Sequence, residues 1–164
     1  MRRSSFALAG LLLPALAKYN YPTGRDALGK FARSQDHEDL ALYEQFFQGQ
    51  RNGLFAEMGA LDGIALSNTY AFENAMNWTG VLIEANPTAC TPLFRNRPHA
   101  RTLCTAVSSD YRVISFEEGK YSSTFGEVEA MPPRFVELFH KRPRTKHRVP
   151  SAPLGQLLRS VGVA

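Results

Sequence analysis

The chain has 164 residues and a formal net charge of +4, a length that predicts a single domain. Its composition is 44% hydrophobic and 21% charged, which is typical of a globular protein and excludes a disordered chain or a collagen. No apolar run reaches the roughly 20 residues of a membrane-spanning helix. With only 2 cysteines we expect no disulfide framework, and no Cys/His cluster has zinc-site spacing, so we expect no metal.

Residues 1–17 have the layout of a secretory signal peptide. Arg2 and Arg3 form a basic start, the apolar stretch 6–17 follows, and Ala-Leu-Ala supplies a small-x-small cleavage pattern before Lys18. We therefore expect a secreted or secretory-pathway protein. A short signal anchor, an organelle-targeting sequence and a misassigned start codon remain alternatives. Loss of the two arginines lowers the net charge from +4 to +2, so charge says little about partners.

Residues 18–33 contain Pro22, Gly24 and Gly29 without periodicity and predict a linker or loop. A helix is expected after it, with Ser34 or Asp36 as its N-cap. Acidic residues in its first turn favour the helix dipole. The apolar stripe of this helix comprises Leu40, Tyr43, Phe46 and Phe47, and Gly49 ends it.

Strand and helix patterns then alternate. We predict strands over 53–58, 80–84 and 102–107, because each is short and apolar. Helices are predicted between them, one capped by Ser67 with Ala71, Phe72, Ala75 and Met76 facing inward, the next started by Asn86-Pro87. This alternation indicates an α/β protein with a partial, doubly wound parallel sheet and helices on both faces. We expect residues 34–164 to form the N-terminal part of one domain.

The C-terminal third is less regular. Residues 112–126 predict a hairpin or irregular insertion, and residues 127–148 a helical and then basic segment. Six Lys/Arg against one Glu lie within 134–148, a net +5 that could contact phosphates or acidic lipid. Aromatic residues are not interleaved with these charges, so we expect a solvated loop and no nucleic-acid partner. Apolar spacing over 154–161 predicts a final helix with Gly162 as its C′ residue.

The turn after the first predicted strand is a candidate ligand site. Ligands of parallel α/β sheets bind at the carboxyl ends of strands, and this turn is Glu57-x-Gly59-x-x-x-Gly63. It lacks the middle glycine of the dinucleotide fingerprint. Glu57 would repel a pyrophosphate, whereas it could pair with an ammonium or sulfonium group. A purely structural turn explains the glycines equally well.

Glu84 ends the second predicted strand and strengthens the case for a ligand. A carboxylate at this place can accept hydrogen bonds from both hydroxyls of a ribose, although an exposed charge at a strand end is the simpler interpretation. Together with Glu57 it favours a nucleoside cofactor without a pyrophosphate. S-adenosylmethionine has a ribose, an ammonium tail and a sulfonium methyl group, and it fits this description.

The order of these motifs resembles the FkbM-type methyltransferase domains. The resemblance rests on 34–39 (Ser-Gln-Asp-His-Glu-Asp), 53–63, Ser67-Asn68-Thr69, 78–87 and Arg97-Pro98, and runs from about Ser34 to Val163. It implies a Rossmann-like class I methyltransferase fold with Gly59, Gly63 and Glu84 at the family's S-adenosylmethionine positions. Together with Glu57 and Ala60 of the same turn, these are the predicted cofactor-binding residues. The expected reaction is O-methylation of a small-molecule or glycan acceptor.

Part of the resemblance, around Ser67 and Trp78, is similar to Star-type eukaryotic relatives. Those are membrane-linked proteins of the secretory pathway that act in trafficking. The alternative function is therefore a non-catalytic module that keeps the fold, binds partners and associates with secretory-pathway membranes. For a methyltransferase, an acceptor hydroxyl needs a general base. Asp36, His37 and Asp110 are candidates, but no spacing selects one of them.

The resemblance also implies further strands after the last predicted helix, the first with an Asp-x-Glu-Gly signature. The sequence ends at Ala164, before that signature. We therefore expect an open, apolar edge on the first strand. The sequence also contains a candidate glycan acceptor and a pair of cysteines. Asn77-Trp78-Thr79 is a glycosylation sequon. Cys104 is expected in the core and Cys90 on a helix, and a disulfide between them is an option that their spacing does not indicate.

Overall fold

The computed structural model describes residues 24–121, 124–140 and 145–163, so the predicted signal peptide lies outside the described residues. The helices are α1 (Gly24–Leu28), α2 (Glu38–Gln45), α3 (Tyr70–Met76), α4 (Pro87–Asn96), α5 (Pro133–Phe139) and α6 (Leu154–Ser160). The strands are β1 (Leu54–Met58), β2 (Thr79–Glu84), β3 (Arg101–Cys104), β4 (Ala106–Val107), β5 (Arg112–Glu117) and β6 (Lys146–Ala152). Two 3₁₀ turns occupy Gly29–Phe31 and Val128–Ala130.

A three-stranded parallel sheet is the centre of the fold. Its order is β1-β2-β3, with Ala56 opposite Val81 and Leu82 opposite Thr102. Parallel neighbours require crossover connections, and α3 and α4 supply them. The predicted α/β class with a parallel sheet and helices is therefore confirmed.

One face of this sheet carries the larger core. Phe55 and Leu82 point to this face and are 8% and 0% exposed. The helical residues packed in the same cluster are Leu28, Tyr43, Ala71, Phe72, Met76, Cys90 and Leu93. The alternate residues Val81 and Ile83 are also buried, on the opposite face. Burial of β2 on both faces explains why its sequence is a continuous apolar run.

β1 is an edge strand within the described part of the chain, as predicted, because it pairs with β2 alone there. Leu54 and Met58 of this strand are 60% and 58% exposed. The edge is therefore both unpaired and apolar.

The linker or loop expected over 18–33 is wrong over 24–31, where α1 and a 3₁₀ turn form instead. Leu28 of α1 is buried in the main core. Gly24 packs so closely on α2 that an added Cβ would lie 3.0 Å from the carbonyl oxygen of Leu40. Gly24 therefore serves close helix packing, whereas Gly29 has φ 53° and an added Cβ there would meet no atom within 4 Å.

Neither predicted N-cap residue occupies the N-cap position of α2, although the Ser34 hydroxyl accepts the first-turn N–H of Asp39 at 3.3 Å. His37 occupies the N-cap position with φ 64° and makes no side-chain cap. The main-chain N–H of Asp36 donates to Glu38 Oε2 over 2.8 Å, which lowers the pKa of the Glu38 carboxyl. Buried Asp39 accepts the Ser34 hydroxyl at 2.6 Å and the Arg33 N–H at 2.8 Å. Asp39 thus ties down the incoming segment instead of capping a helix end.

The single strand predicted over 102–107 is divided between two sheets. β3 closes the parallel sheet, whereas β4 pairs with β6 in a second sheet of order β4-β6-β5. β6 occupies the middle of this sheet and was not predicted. The sequence of β6 gave no strand signal, because it begins with basic residues and contains Pro150, and proline normally argues against a central strand. The expectation of a solvated loop is therefore wrong over 146–148, while 141–144 lie outside the described residues.

Two predicted helix boundaries are confirmed, and the predicted cap Ser67 lies two residues before the N-cap Thr69 of α3. Ser67 Oγ accepts the N–H of Tyr70 at 3.0 Å, just before α3. The Asn86 side chain accepts the Thr88 N–H at 2.9 Å, and Pro87 begins α4. Gly162 follows α6 with φ 75°, as a C′ glycine should.

Candidate functional site

A cleft of about 320 Å³ lies at the carboxyl ends of β1 and β2, where the parallel sheet meets the second sheet. We call it the strand-end cleft. It is lined by Met58, Gly59, Leu61, Leu66, Ile83, Glu84, Ala85, Thr105, Ala106, Val107, Phe116 and Phe125. The walls are mostly apolar, with Glu84 as the single ionisable side chain among these residues. Parallel sheets present their ligand sites at this end.

Glu84 is the buried acid of the strand-end cleft, with an exposed fraction of only 4%. Its Oε2 accepts the Leu61 N–H at 2.7 Å, and its Oε1 accepts the Asn86 N–H at 2.6 Å. The side chain therefore points toward the turn after β1. An ionised carboxylate has about four acceptor sites, so these two hydrogen bonds leave capacity for further donors.

Gly59 lies opposite Glu84 and leaves the cleft open. Its φ is 75°, and its N–H donates to the Ile83 carbonyl at 2.9 Å. An added Cβ would meet no atom within 4 Å. The exposed backbone of Gly59 can thus be approached closely by a ligand.

Gly63 serves packing and does not line the strand-end cleft. Its φ is 84°, and an added Cβ would lie 2.6 Å from Arg97 Cγ and 2.7 Å from Leu93 Cδ1. Ala60 does not line the cleft either, because it is 1% exposed and belongs to the main core. The structure therefore brings Gly59 and Glu84 together at the strand-end cleft. Gly63 and Ala60, which were also predicted to bind the ligand, pack against the protein interior instead.

Glu57 is occupied by the segment that follows the turn. Its carboxylate accepts the Ser67 hydroxyl at 2.9 Å, the Asn68 N–H at 2.8 Å and the Thr69 hydroxyl at 2.5 Å. It lies outside the lining of the strand-end cleft. In this arrangement Glu57 fixes the entry to α3, and its predicted pairing with an ammonium group is not part of the observed geometry.

Arg97 is the site residue that sequence analysis missed. Its side chain is fully buried, with Nη2 2.5 Å from Glu73 Oε2 and Nη1 2.9 Å from the Gly63 carbonyl. Nη2 also donates to the Thr69 hydroxyl at 3.1 Å. Arg97 thus joins the Gly63 carbonyl of the turn to Glu73 of α3. The Arg97-Pro98 pair entered the prediction only as part of the family resemblance and as the expected end of a helix, and neither gives a signal of such burial.

None of the three candidate bases lines the strand-end cleft. Asp36 and His37 lie at the start of α2. Asp110 is largely exposed and pairs with Arg112, its Oδ1 3.3 Å from Nε. Within the described residues no group of three or more His, Cys, Asp or Glu side chains could hold a metal ion.

Cys90 and Cys104 form a disulfide that joins α4 to the end of β3. The expected core position of Cys104 is wrong, because this residue is exposed while Cys90 is 3% exposed. Cys104 is also the register partner of Glu84. The disulfide therefore anchors the strand end next to the cleft, which a count of 2 cysteines did not predict.

Comparisons with protein-family models, with curated proteins and with solved structures found no match. The resemblance to FkbM-type domains therefore stays a prediction. Among the described residues, no helix has the length and apolar character needed to cross a membrane. The geometry of the strand-end cleft is thus the basis on which a function can be argued.

Proposed function

We propose that this chain is a methyltransferase domain of FkbM type, with a Rossmann-like class I fold, that uses S-adenosylmethionine to methylate an oxygen of a small-molecule or glycan acceptor. One observation carries the proposal. Buried Glu84 and open Gly59 line the same cleft at the carboxyl ends of adjacent parallel strands. This is where parallel α/β sheets hold nucleosides.

The residues present fit the proposed cofactor. The cleft volume of about 320 Å³ falls at the lower end of the roughly 300–1,000 Å³ of ligand pockets. The unused acceptor sites of Glu84 would take the ribose hydroxyls, and Phe116 or Phe125 would contact the adenine ring. Bound S-adenosylmethionine supplies a methyl group that is already activated for displacement.

The chain's own contribution would be orientation. Leu61 and Asn86 hold the Glu84 carboxylate through their N–H groups, so a ribose bound there has a fixed position. Exact placement of two reactants can lower a barrier by about 7–11 kcal/mol. Glu57 and Arg97 would not contact the ligand, but they hold the segment from the turn to α3 in place. We assign no catalytic base.

Titration calorimetry of the full chain with S-adenosylmethionine tests the proposal. We expect saturable binding by the wild type and at least tenfold weaker binding by Glu84→Gln, since a hydrogen bond to a charged group contributes about 1.5–3 kcal/mol. Glu129→Gln is the matched control, because Glu129 is exposed and outside the cleft. No heat at millimolar ligand would refute the proposal.

A modified ligand tests Glu84 without any mutation. An S-adenosylmethionine analogue without the 2′- and 3′-hydroxyls cannot donate to this carboxylate. We expect the wild type to bind it at least tenfold more weakly than S-adenosylmethionine. Equal affinities would show that Glu84 does not contact the ribose, even if Glu84→Gln fails to fold.

The second candidate is a non-catalytic partner-binding module of Star type. Its support is that both Glu84 oxygens already accept main-chain N–H groups, so Glu84 can be explained as a structural residue. The exposed β1 edge offers a surface to partners. A wild type that melts cooperatively but binds no S-adenosylmethionine would favour this candidate.

For either candidate we place the chain in the secretory pathway. Residues 1–17 have the signal-peptide pattern, and the Cys90–Cys104 disulfide supports an oxidising compartment. Targeting to another organelle is the alternative. A tagged full chain should be protected from protease in intact secretory vesicles and should lose its first 17 residues. Recovery of the uncleaved chain in the cytosol would contradict this location.

A further inference from the structure

We propose that Asn77 is an N-glycosylation site. The inference rests on the proposed entry into the secretory pathway but not on methyl transfer. Asn77-Trp78-Thr79 matches the N-x-[ST] acceptor pattern. The chain contains 7 asparagines, and no other one matches, because Asn86-Pro87-Thr88 has the excluded proline at its middle position.

The fold places Asn77 where a glycan can project into solvent. Asn77 is exposed and ends α3 in the left-handed conformation, with φ 58° and ψ 38°. Asparagine tolerates this conformation better than other residues with a side chain. Thr79 at the start of β2 is exposed as well. The acceptor amide and the required hydroxyl residue thus both lie on the surface.

The middle residue of the sequon gives the site a rigid base. Trp78 is 6% exposed, and its indole N–H donates to the Gln50 carbonyl at 3.0 Å. It contacts the rings of Phe47 and Phe72, with centroids 5.0 and 4.9 Å away. The turn that carries Asn77 is therefore anchored in the core while its amide points outward.

The hydrogen bonding of Asn77 is compatible with the modification. Its Nδ2 donates one hydrogen to Asn52 Oδ1 over 2.7 Å. Glycosylation replaces one of the two amide hydrogens, so the second can keep the bond to Asn52. The modified turn therefore needs no new backbone conformation.

The chemistry is the transfer of an oligosaccharide from a polyprenyl-diphosphate donor. A bond forms between Asn77 Nδ2 and C1 of the first sugar, and the bond from C1 to the phosphate oxygen breaks. The polyprenyl diphosphate leaves with the electron pair, and the displaced amide proton passes to a base of the transferase. No oxidant or reductant is needed.

The glycan would lie far from the strand-end cleft. β2 begins at Thr79 and ends at Glu84, so the two ends are roughly 17 Å apart at the usual strand rise. The sequon is thus at the amino end of the sheet and the cleft at the carboxyl end. We expect glycosylation to leave cofactor affinity unchanged.

The test is expression of the full chain in a cell with a eukaryotic secretory pathway. We expect a heavier species that peptide N-glycosidase converts to the unmodified mobility, with Asn77 converted to Asp in the peptide mass spectrum. Asn77→Gln and Thr79→Ala should abolish the heavier species, and Thr79→Ser should retain it. The peptide with Asn86 is the internal control and should stay unmodified.

Two results would overturn the inference. The first is a secreted chain whose Asn77 carries no sugar, and the second is a chain that never enters the secretory lumen. Calorimetry with S-adenosylmethionine on the glycosylated wild type and on Asn77→Gln separates this site from the proposed function. Equal affinities support the inferred separation of the two sites. Absence of ligand binding in both refutes the methyltransferase but leaves the glycan result decisive by itself.

Discussion

Alanine at Gly63 should destabilise the fold more than alanine at Gly59, although both glycines have positive φ. Gly63→Ala would force a Cβ to within 2.6 Å of Arg97 Cγ and 2.7 Å of Leu93 Cδ1. Gly59→Ala would place its Cβ in open space, with no atom within 4 Å. The pair therefore separates the cost of the clash from the cost of the backbone conformation.

The magnitudes follow from these contacts. A left-handed conformation costs a residue with a Cβ about 1–2 kcal/mol relative to glycine. Gly59→Ala should lower the free energy of unfolding by that amount. Gly63→Ala adds overpacking against Arg97 and Leu93, worth about 1–3 kcal/mol more. Its total loss should be about 2–5 kcal/mol.

Urea unfolding of the full chain measures both losses, as shifts of the midpoint at constant m-value. Ligand affinity, measured by calorimetry, is the second readout, because a methyl group added at position 59 would lie at the wall of the strand-end cleft. Gly59→Ala should therefore weaken S-adenosylmethionine binding more than Gly63→Ala does. A Gly63→Ala variant that is as stable as Gly59→Ala would refute the packing role assigned to Gly63.

The remaining predictions concern stability. Arg97→Met should lower the free energy of unfolding by about 3–5 kcal/mol, because Glu73 then keeps an unpaired charge in the interior. Adding Glu73→Gln should recover part of this loss, and a double variant less stable than Arg97→Met would contradict the pairing. Replacing Cys90 and Cys104 by serine opens a loop with a sequence separation of 14, which should cost about 3 kcal/mol. Equal urea midpoints for the wild type with and without reductant would show that the disulfide does not contribute.

Local sequence patterns predicted those elements whose local conformational preference agrees with their tertiary environment. Asn86-Pro87 predicted the start of α4 because a cap acts within three residues. The apolar run 80–84 predicted β2 because it is buried on both faces. β6 escaped prediction since its stability comes from pairing with β4 and β5, and its own residues include Pro150.

The candidate site was predicted in the same partial way. Strand ends can be located from a sequence, so Gly59 and Glu84 were found together. The sequence did not show that Glu57 and Gly63 lie outside the cleft. Glu57 bonds to the segment before α3, and Gly63 packs against α4, and these contacts depend on the tertiary fold. Arg97 is the clearest case, since it reaches Gly63 across 34 residues of sequence.

The amino-acid sequence by itself determined the alternation of helices and strands, the parallel sheet and the acid at the end of β2, because these depend on hydrophobic period and on short-range capping. The tertiary structure decided which side chains remain available to a ligand. Hydrogen bonds from Ser67, Asn68 and Thr69 occupy three acceptor sites of Glu57 outside the cleft, whereas the Glu84 carboxylate keeps acceptor sites at the cleft. That difference arises from how the segments pack around each carboxylate, and no local pattern encodes it.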